Sequence, residues 1–124
     1  MPPKVKITKE EILETAIALV RERGEQALNA RAIARALDCS TQPVFFNFAS
    51  MEDLRKEVIQ AAYQLYLGFI QAEVERAEYP RYKCFGVAYI RFAKEERELF
   101  RLLFMRDRSA EDTSPRPNLR GRQK

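Results

Sequence analysis

A chain of 124 residues, 46% apolar and 32% charged, suits one domain with a helical extension, and no run approaches the roughly 18 apolar residues that span a bilayer. It contains no histidine, so it lacks the usual general base at neutral pH, and Cys39 and Cys84 have no metal-ligand spacing; no enzyme, metal or cofactor is expected, and both cysteines read as reduced packing residues. The net charge of +4 is no guide to a binding face, because residues 101–124 hold seven Lys/Arg against three Asp/Glu whereas residues 1–50 hold seven against six.

The N-terminus MPPKVKITKEE lacks the apolar core of a signal peptide, so an intracellular, cytoplasmic protein without a membrane partner is expected. Thr8 and Glu11 form a capping box, with Ile7 and Ile12 as the hydrophobic staple. Ile12, Leu13, Ala16, Leu19 and Val20 then recur at helical spacing until Gly24, which predicts a first helix over about 8–23. Asn29 can cap a second helix over about 30–37, stapled by Leu28 and Ile33. Asp38 falls where a left-handed residue is needed.

VFFNF, residues 44–48, reads as a buried strand by residue preference alone. Its flanks argue for a helix instead. Ser40 can cap, Cys39 and Val44 can staple across it, and Pro43 then takes the third helical position, where its missing N–H costs nothing. A short helix over 41–47 is therefore predicted. Ser50 and Asp53 cap a long fourth helix, about 51–77. It carries two apolar stripes: Leu54, Val58, Ala61, Leu65 and Phe69, and Ile59, Tyr63, Tyr66, Ile70 and Val74. Two stripes are expected of a helix joining two packed units. Gly68 inside it costs about 1 kcal/mol against alanine, which suggests a close contact or a slight bend. Pro80 opens a fifth helix with Phe85, Tyr89 and Phe92 on one face, and a sixth covers about 96–105. Residues 107–124 hold two prolines and one large apolar residue and read as disordered.

The expected fold is all-α. A tight Asp38–Ser40 turn between helices two and three, with helix one across both, is the helix-turn-helix arrangement, whose second helix enters the major groove. The run IARALDCSTQPVFFNFASMEDL, extended back to helix one and Gly24, resembles the N-terminal domain of the TetR/AcrR family of transcriptional repressors. Matching positions are Ile33-Ala34, the turn, Ser40, Val44 through Phe48, Ala49, Ser50 and Glu52-Asp53-Leu54. The chain departs from the family pattern at Asp38, where glycine is usual, at Phe45 for tyrosine, at Asn47 for histidine or tyrosine, and at Met51 for lysine. Phe45 and Met51 each lack a group that could contact phosphate, so those contacts are not carried over.

At 100° per residue, Val44, Phe48 and Thr41 share one arc of the short helix, with Phe45 at its margin. Gln42, Pro43, Phe46 and Asn47 point the other way. Thr41, Gln42, Pro43, Phe46 and Asn47 are thus the candidate base readers: Phe46 suits a thymine methyl, and Gln42 and Asn47 offer amides to base edges. Lys4, Lys6, Asn29, Arg31 and Lys56 surround this helix as candidate phosphate contacts.

The resemblance further implies a C-terminal helical domain that binds a small effector and forms a homodimer on a palindromic duplex operator. Tyr66, Phe69, Phe85, Tyr89 and Phe92 could line the effector pocket or be ordinary core. Residues 1–50 are then the helix-turn-helix domain, 51–106 the linking helix with an incomplete regulatory domain, and 107–124 the tail. Family members normally continue with two dimer-forming helices where this chain turns Arg/Pro-rich. A truncation or frame shift is therefore expected, together with an exposed apolar patch of Leu99, Phe100, Leu102, Leu103 and Phe104 that drives self-association. The leading reading is a ligand-released repressor. The alternative is a helical protein-interaction module in which Phe46 buries against a partner.

Overall fold

A computed structural model describes residues 6–105. Lys4 and the expected disordered stretch 107–124 lie outside the described residues. Among the described residues six α-helices follow one another: α1 Lys9–Arg23, α2 Ala30–Ala36, α3 Gln42–Asn47, α4 Met51–Arg76, α5 Arg81–Glu95 and α6 Arg97–Phe104. A single 3-10 turn, Glu25–Ala27, lies between α1 and α2. The described residues contain no strand, so the fold is all-α, as the sequence predicts.

The helix starts in the first half follow the caps written in the sequence. Glu11 N–H donates to Thr8 Oγ1 at 3.1 Å while Thr8 N–H donates to Glu11 Oε1 at 3.0 Å, closing the capping box. Ala32 N–H donates to Asn29 Oδ1 at 2.8 Å, and Asp53 N–H to Ser50 Oγ at 3.2 Å. Gly24 ends α1 at φ 92°, a conformation side chains rarely adopt, and its N–H reaches Val20 O at 2.7 Å. A Cβ there would lie 2.9 Å from Gln26 Oε1, so the turn also lacks room for one.

Two local expectations are corrected. The N-cap of α3 is Thr41 rather than Ser40, and Pro43 is the second helical residue, not the third. Ser40 still serves the helix start, because its Oγ accepts the Gln42 N–H at 3.3 Å. The physical argument for Pro43 survives the shift, since the first four helical N–H groups have no intrahelical partner. Gly68 makes no close approach: a Cβ at that position would meet nothing within 4 Å.

One core runs through the helices. Ile12, Ala16 and Val20 of α1, Ile33 of α2, Val44 and Phe48 at α3, and Leu54 and Val58 of α4 are buried in it. Phe92 of α5 and Leu99, Leu102 and Leu103 of α6 belong to the same cluster. Near its start α4 therefore packs on α1, and farther along it packs on α5. The α6 helix folds back on α1, where Arg21 clasps Glu96 through Nε at 3.0 Å and Nη2 at 2.8 Å. That return corrects part of the expected patch: Leu99, Leu102 and Leu103 are buried against α1, whereas Phe100 is half-buried and Phe104 exposed. Exposed apolar surface also lies on α5, at Tyr82, Phe85, Tyr89 and Ile90.

Where α4 meets α5, the sequence gives no warning of a buried charge. Glu73 is 1% exposed, with Oε2 held by Arg91 Nε at 3.0 Å and Arg76 Nη1 at 3.3 Å. Its Oε1 has no hydrogen-bond partner. Cys84, also buried, points its thiol at Glu73 O at 3.6 Å, which fits its reading as a packing residue.

Candidate nucleic-acid interface

The turn that sets α3 against α2 is a Schellman closure. Cys39 N–H donates to Ala34 O at 2.9 Å and Asp38 N–H to Arg35 O at 3.2 Å, with Asp38 at φ 55° between them. An aspartate tolerates that left-handed position where most side chains do not. The chain then re-enters a helix at once, so α3 leaves α2 at a fixed angle.

Across α3 the two faces differ sharply. Val44 is 1% exposed and Phe48, just past the helix, 3% exposed, whereas Phe46 is 82% exposed and Phe45 52%. Burying Val44 and Phe48 contributes roughly 2 kcal/mol each and fixes which face looks outward. Lys9 Nζ sits 5.1 Å from the centre of the Phe48 ring and 3.0 Å from Glu57 Oε2, tying α1 to α4 beneath the helix. On the other side of the start of α4, Arg55 Nη1 reaches Glu25 Oε2 at 2.6 Å. The presenting helix thus rests on a braced base.

Four of the five candidate base readers share one concavity. Gln42, Pro43, Phe46 and Asn47 border an open groove of about 1160 Å³ together with Lys6, Leu37, Cys39 and Phe45. Gln42 is exposed with its amide free, and Thr41 is half-buried with no capping bond from its hydroxyl. Asn47 is different: its Nδ2 donates to Pro43 O at 2.8 Å and the residue is half-buried, so one of its two amide N–H groups is held by its own helix.

The candidate phosphate contacts form a looser set. Lys6 lies on the rim of the large groove, and Lys56 borders a smaller cleft of about 280 Å³ beside Asn47 and Phe48. Arg31 is exposed at the start of α2. Asn29 is also exposed, but its Oδ1 is occupied by the α2 cap. The sequence reading missed Lys9, which joins Lys56 at the smaller cleft; its place one turn beyond Lys6 was the available sign.

The residues proposed for an effector pocket do not all come together. The Tyr66 ring lies 5.2 Å from that of Phe92 and 6.4 Å from that of Tyr89, and the Phe69 ring lies 5.2 Å from that of Phe92. Phe100 and Phe104 of α6 enter the same cluster, at 5.0 and 5.3 Å from Tyr89. Here these rings pack on one another. Phe85 stays apart on the exposed side of α5. Burial pushes the Tyr66 phenol above its ordinary pKa, with Tyr89 and then Tyr63 adding to the effect.

With this geometry, comparison with known families is informative. The sequence profile of the bacterial regulatory proteins of the tetR family matches residues 12–58. Through that segment the chain is similar to the tetR family. The match covers α1, α2, α3 and the first turns of α4, which are the elements that build and brace the exposed face. The chain is a DNA-binding transcription regulator, and DNA is its partner. No curated protein matched it. Among the described residues no helix is long and apolar enough to cross a membrane, and no group of His, Cys, Asp or Glu could hold a metal ion.

Proposed function

We propose that the protein is a cytoplasmic, non-enzymatic repressor that binds a palindromic operator as a homodimer and is released by a small effector. The observation that carries the reading is the division of α3: an aromatic ring and a free amide stand outward on a helix whose other face is locked in the core. Thr41, Gln42, Pro43 and Phe46 meet base edges, and Asn47 offers its remaining carbonyl oxygen. Lys4, Lys6, Arg31 and Lys56 meet phosphates, with Asn29 beside them at the α2 N-terminus.

For effector response, the supporting feature is α4. It begins beneath the reading helix and ends against the aromatic cluster, so a ligand that separates Tyr66, Phe69, Tyr89 and Phe92 would displace the helix that holds α3. Such a ligand must bind the displaced arrangement more tightly than the DNA-bound one. The exposed aromatics on α5, Phe85 among them, support self-association.

The test is binding of the full chain to duplexes selected from random sequence. Gln42→Ala is expected to cost about 1–3 kcal/mol and to relax preference at one base pair per half-site. Arg31→Ala is expected to weaken all duplexes alike and flatten the salt dependence. A uniform loss for Gln42→Ala across operator variants would remove it as a reader. Affinity that does not fall with added salt would favour the protein-interaction reading of Phe46.

A further inference from the structure

The reading helix is unusual in what it does not carry. From Ala36 to Leu54 there is no lysine or arginine, and the charged residues in that span are Asp38, Glu52 and Asp53. Guanine presents two acceptors in the major groove, and its common reader is the fork of an arginine or a lysine ammonium. Nothing on α3 can play that part. The Asn47 amide already gives one of its two N–H groups to Pro43 O at 2.8 Å, so it offers a single donor and no fork.

What remains on the outward face is one free amide, Gln42, and a surface of carbon. Phe46 is 82% exposed, Phe45 is half exposed, and Pro43 lines the same groove. A ring so exposed is hydrated in the free protein, and the apolar group that major-groove edges offer it is the methyl on C5 of a pyrimidine. Thymine carries that methyl, and so does 5-methylcytosine, in the same place relative to the sugar.

We infer that this reading head senses the C5 methyl group through Phe46, so that its half-sites are A·T-biased and its affinity for a cytosine at that position rises when the cytosine is methylated. The inference rests on the DNA-binding reading above and adds to it the chemical mark being read. Gln42 supplies the companion contact, bidentate to adenine. Lysines on the rim hold the phosphates without regard to sequence.

The test uses the full chain and the tightest duplex from random selection. Each thymine is replaced in turn by deoxyuridine, which removes the methyl and leaves pairing intact. At one position per half-site, uracil is expected to weaken binding by about three- to tenfold, the scale of one buried methyl or slightly more. Phe46→Ala should lose about as much on the thymine duplex and should no longer distinguish thymine from uracil; this closes a double-mutant cycle. Phe46→Leu, which keeps an apolar group, should restore part of the discrimination. At the same position 5-methylcytosine should bind more tightly than cytosine. Tight binding indifferent to uracil at every position, or selected half-sites dominated by guanine contacts, would overturn methyl sensing while leaving DNA binding intact. Failure to bind any duplex would overturn both.

Discussion

The first three helices and the last two are stabilised in different ways. In the first region helix starts are secured by nearby side chains, Thr8 for α1, Asn29 for α2 and Ser40 at α3, and the core is mainly aliphatic. In the second, neither α5 nor α6 has a side-chain cap, and the packing is aromatic, with Phe92 touching Tyr66, Phe69 and Phe100. A buried Glu73 with two arginines adds an ionic lock found nowhere in the first region. The first region can commit each helix from its own sequence and leave one ring, Phe46, standing in solvent. The second depends on partners far along the chain, so its shape is open to change by a ligand or a substitution.

The contrast can be broken most severely at Phe92, which is fully buried between α4 and α6. Phe92→Ala is expected to cost about 3–5 kcal/mol in chemical denaturation. Because the core is continuous, α1 to α3 should melt in the same transition; a separate early transition of the second region would show two cores instead. The ionic lock predicts an asymmetry. Arg91→Ala leaves the Glu73 carboxylate buried with one partner and is expected to cost about 3 kcal/mol, whereas Glu73→Leu, which leaves two arginines that water can reach, should cost much less. Equal losses would mean that the lock acts by packing alone. In the first region, Thr8→Ala removes the hydroxyl that accepts from Glu11 N–H, leaves the backbone arm of the capping box, and should cost about 1 kcal/mol, with no effect on the aromatic cluster. The smallest changes are gains on α4. Gly68→Ala fills open space inside the helix and should add about 0.5–1 kcal/mol, and Ala77→Gly relieves a left-handed alanine at φ 58° by about 1 kcal/mol. A loss at Gly68→Ala would reveal a close contact made only in an assembly.

Much of the reading head was legible because its determinants are local. The caps at Thr8, Asn29 and Ser50, the left-handed Asp38, and the split of VFFNF into Val44 and Phe48 inward with Phe46 outward all follow from spacing within one or two turns. The errors were local as well, in hydrogen bonds that spacing alone does not assign. Ser40 was assigned as the cap of α3, yet the helix begins one residue later because the Schellman closure at Asp38 uses that stretch of backbone. Asn47 looked free on a helical wheel, which cannot represent a bond back to Pro43 O within the helix.

The sequence by itself determined the helices, most of their ends and which residues of α3 face outward, since periodicity and capping act between residues three or four apart. Tertiary structure alone decided that α6 returns to α1 and buries Leu99, Leu102 and Leu103, that Glu73 is enclosed rather than solvated, and that Tyr66, Tyr89 and Phe92 pack on α6 while Phe85 stays outside. Those outcomes depend on which surfaces meet after the helices form. Burial is a property of the assembled core, and one helix's spacing does not specify its neighbour.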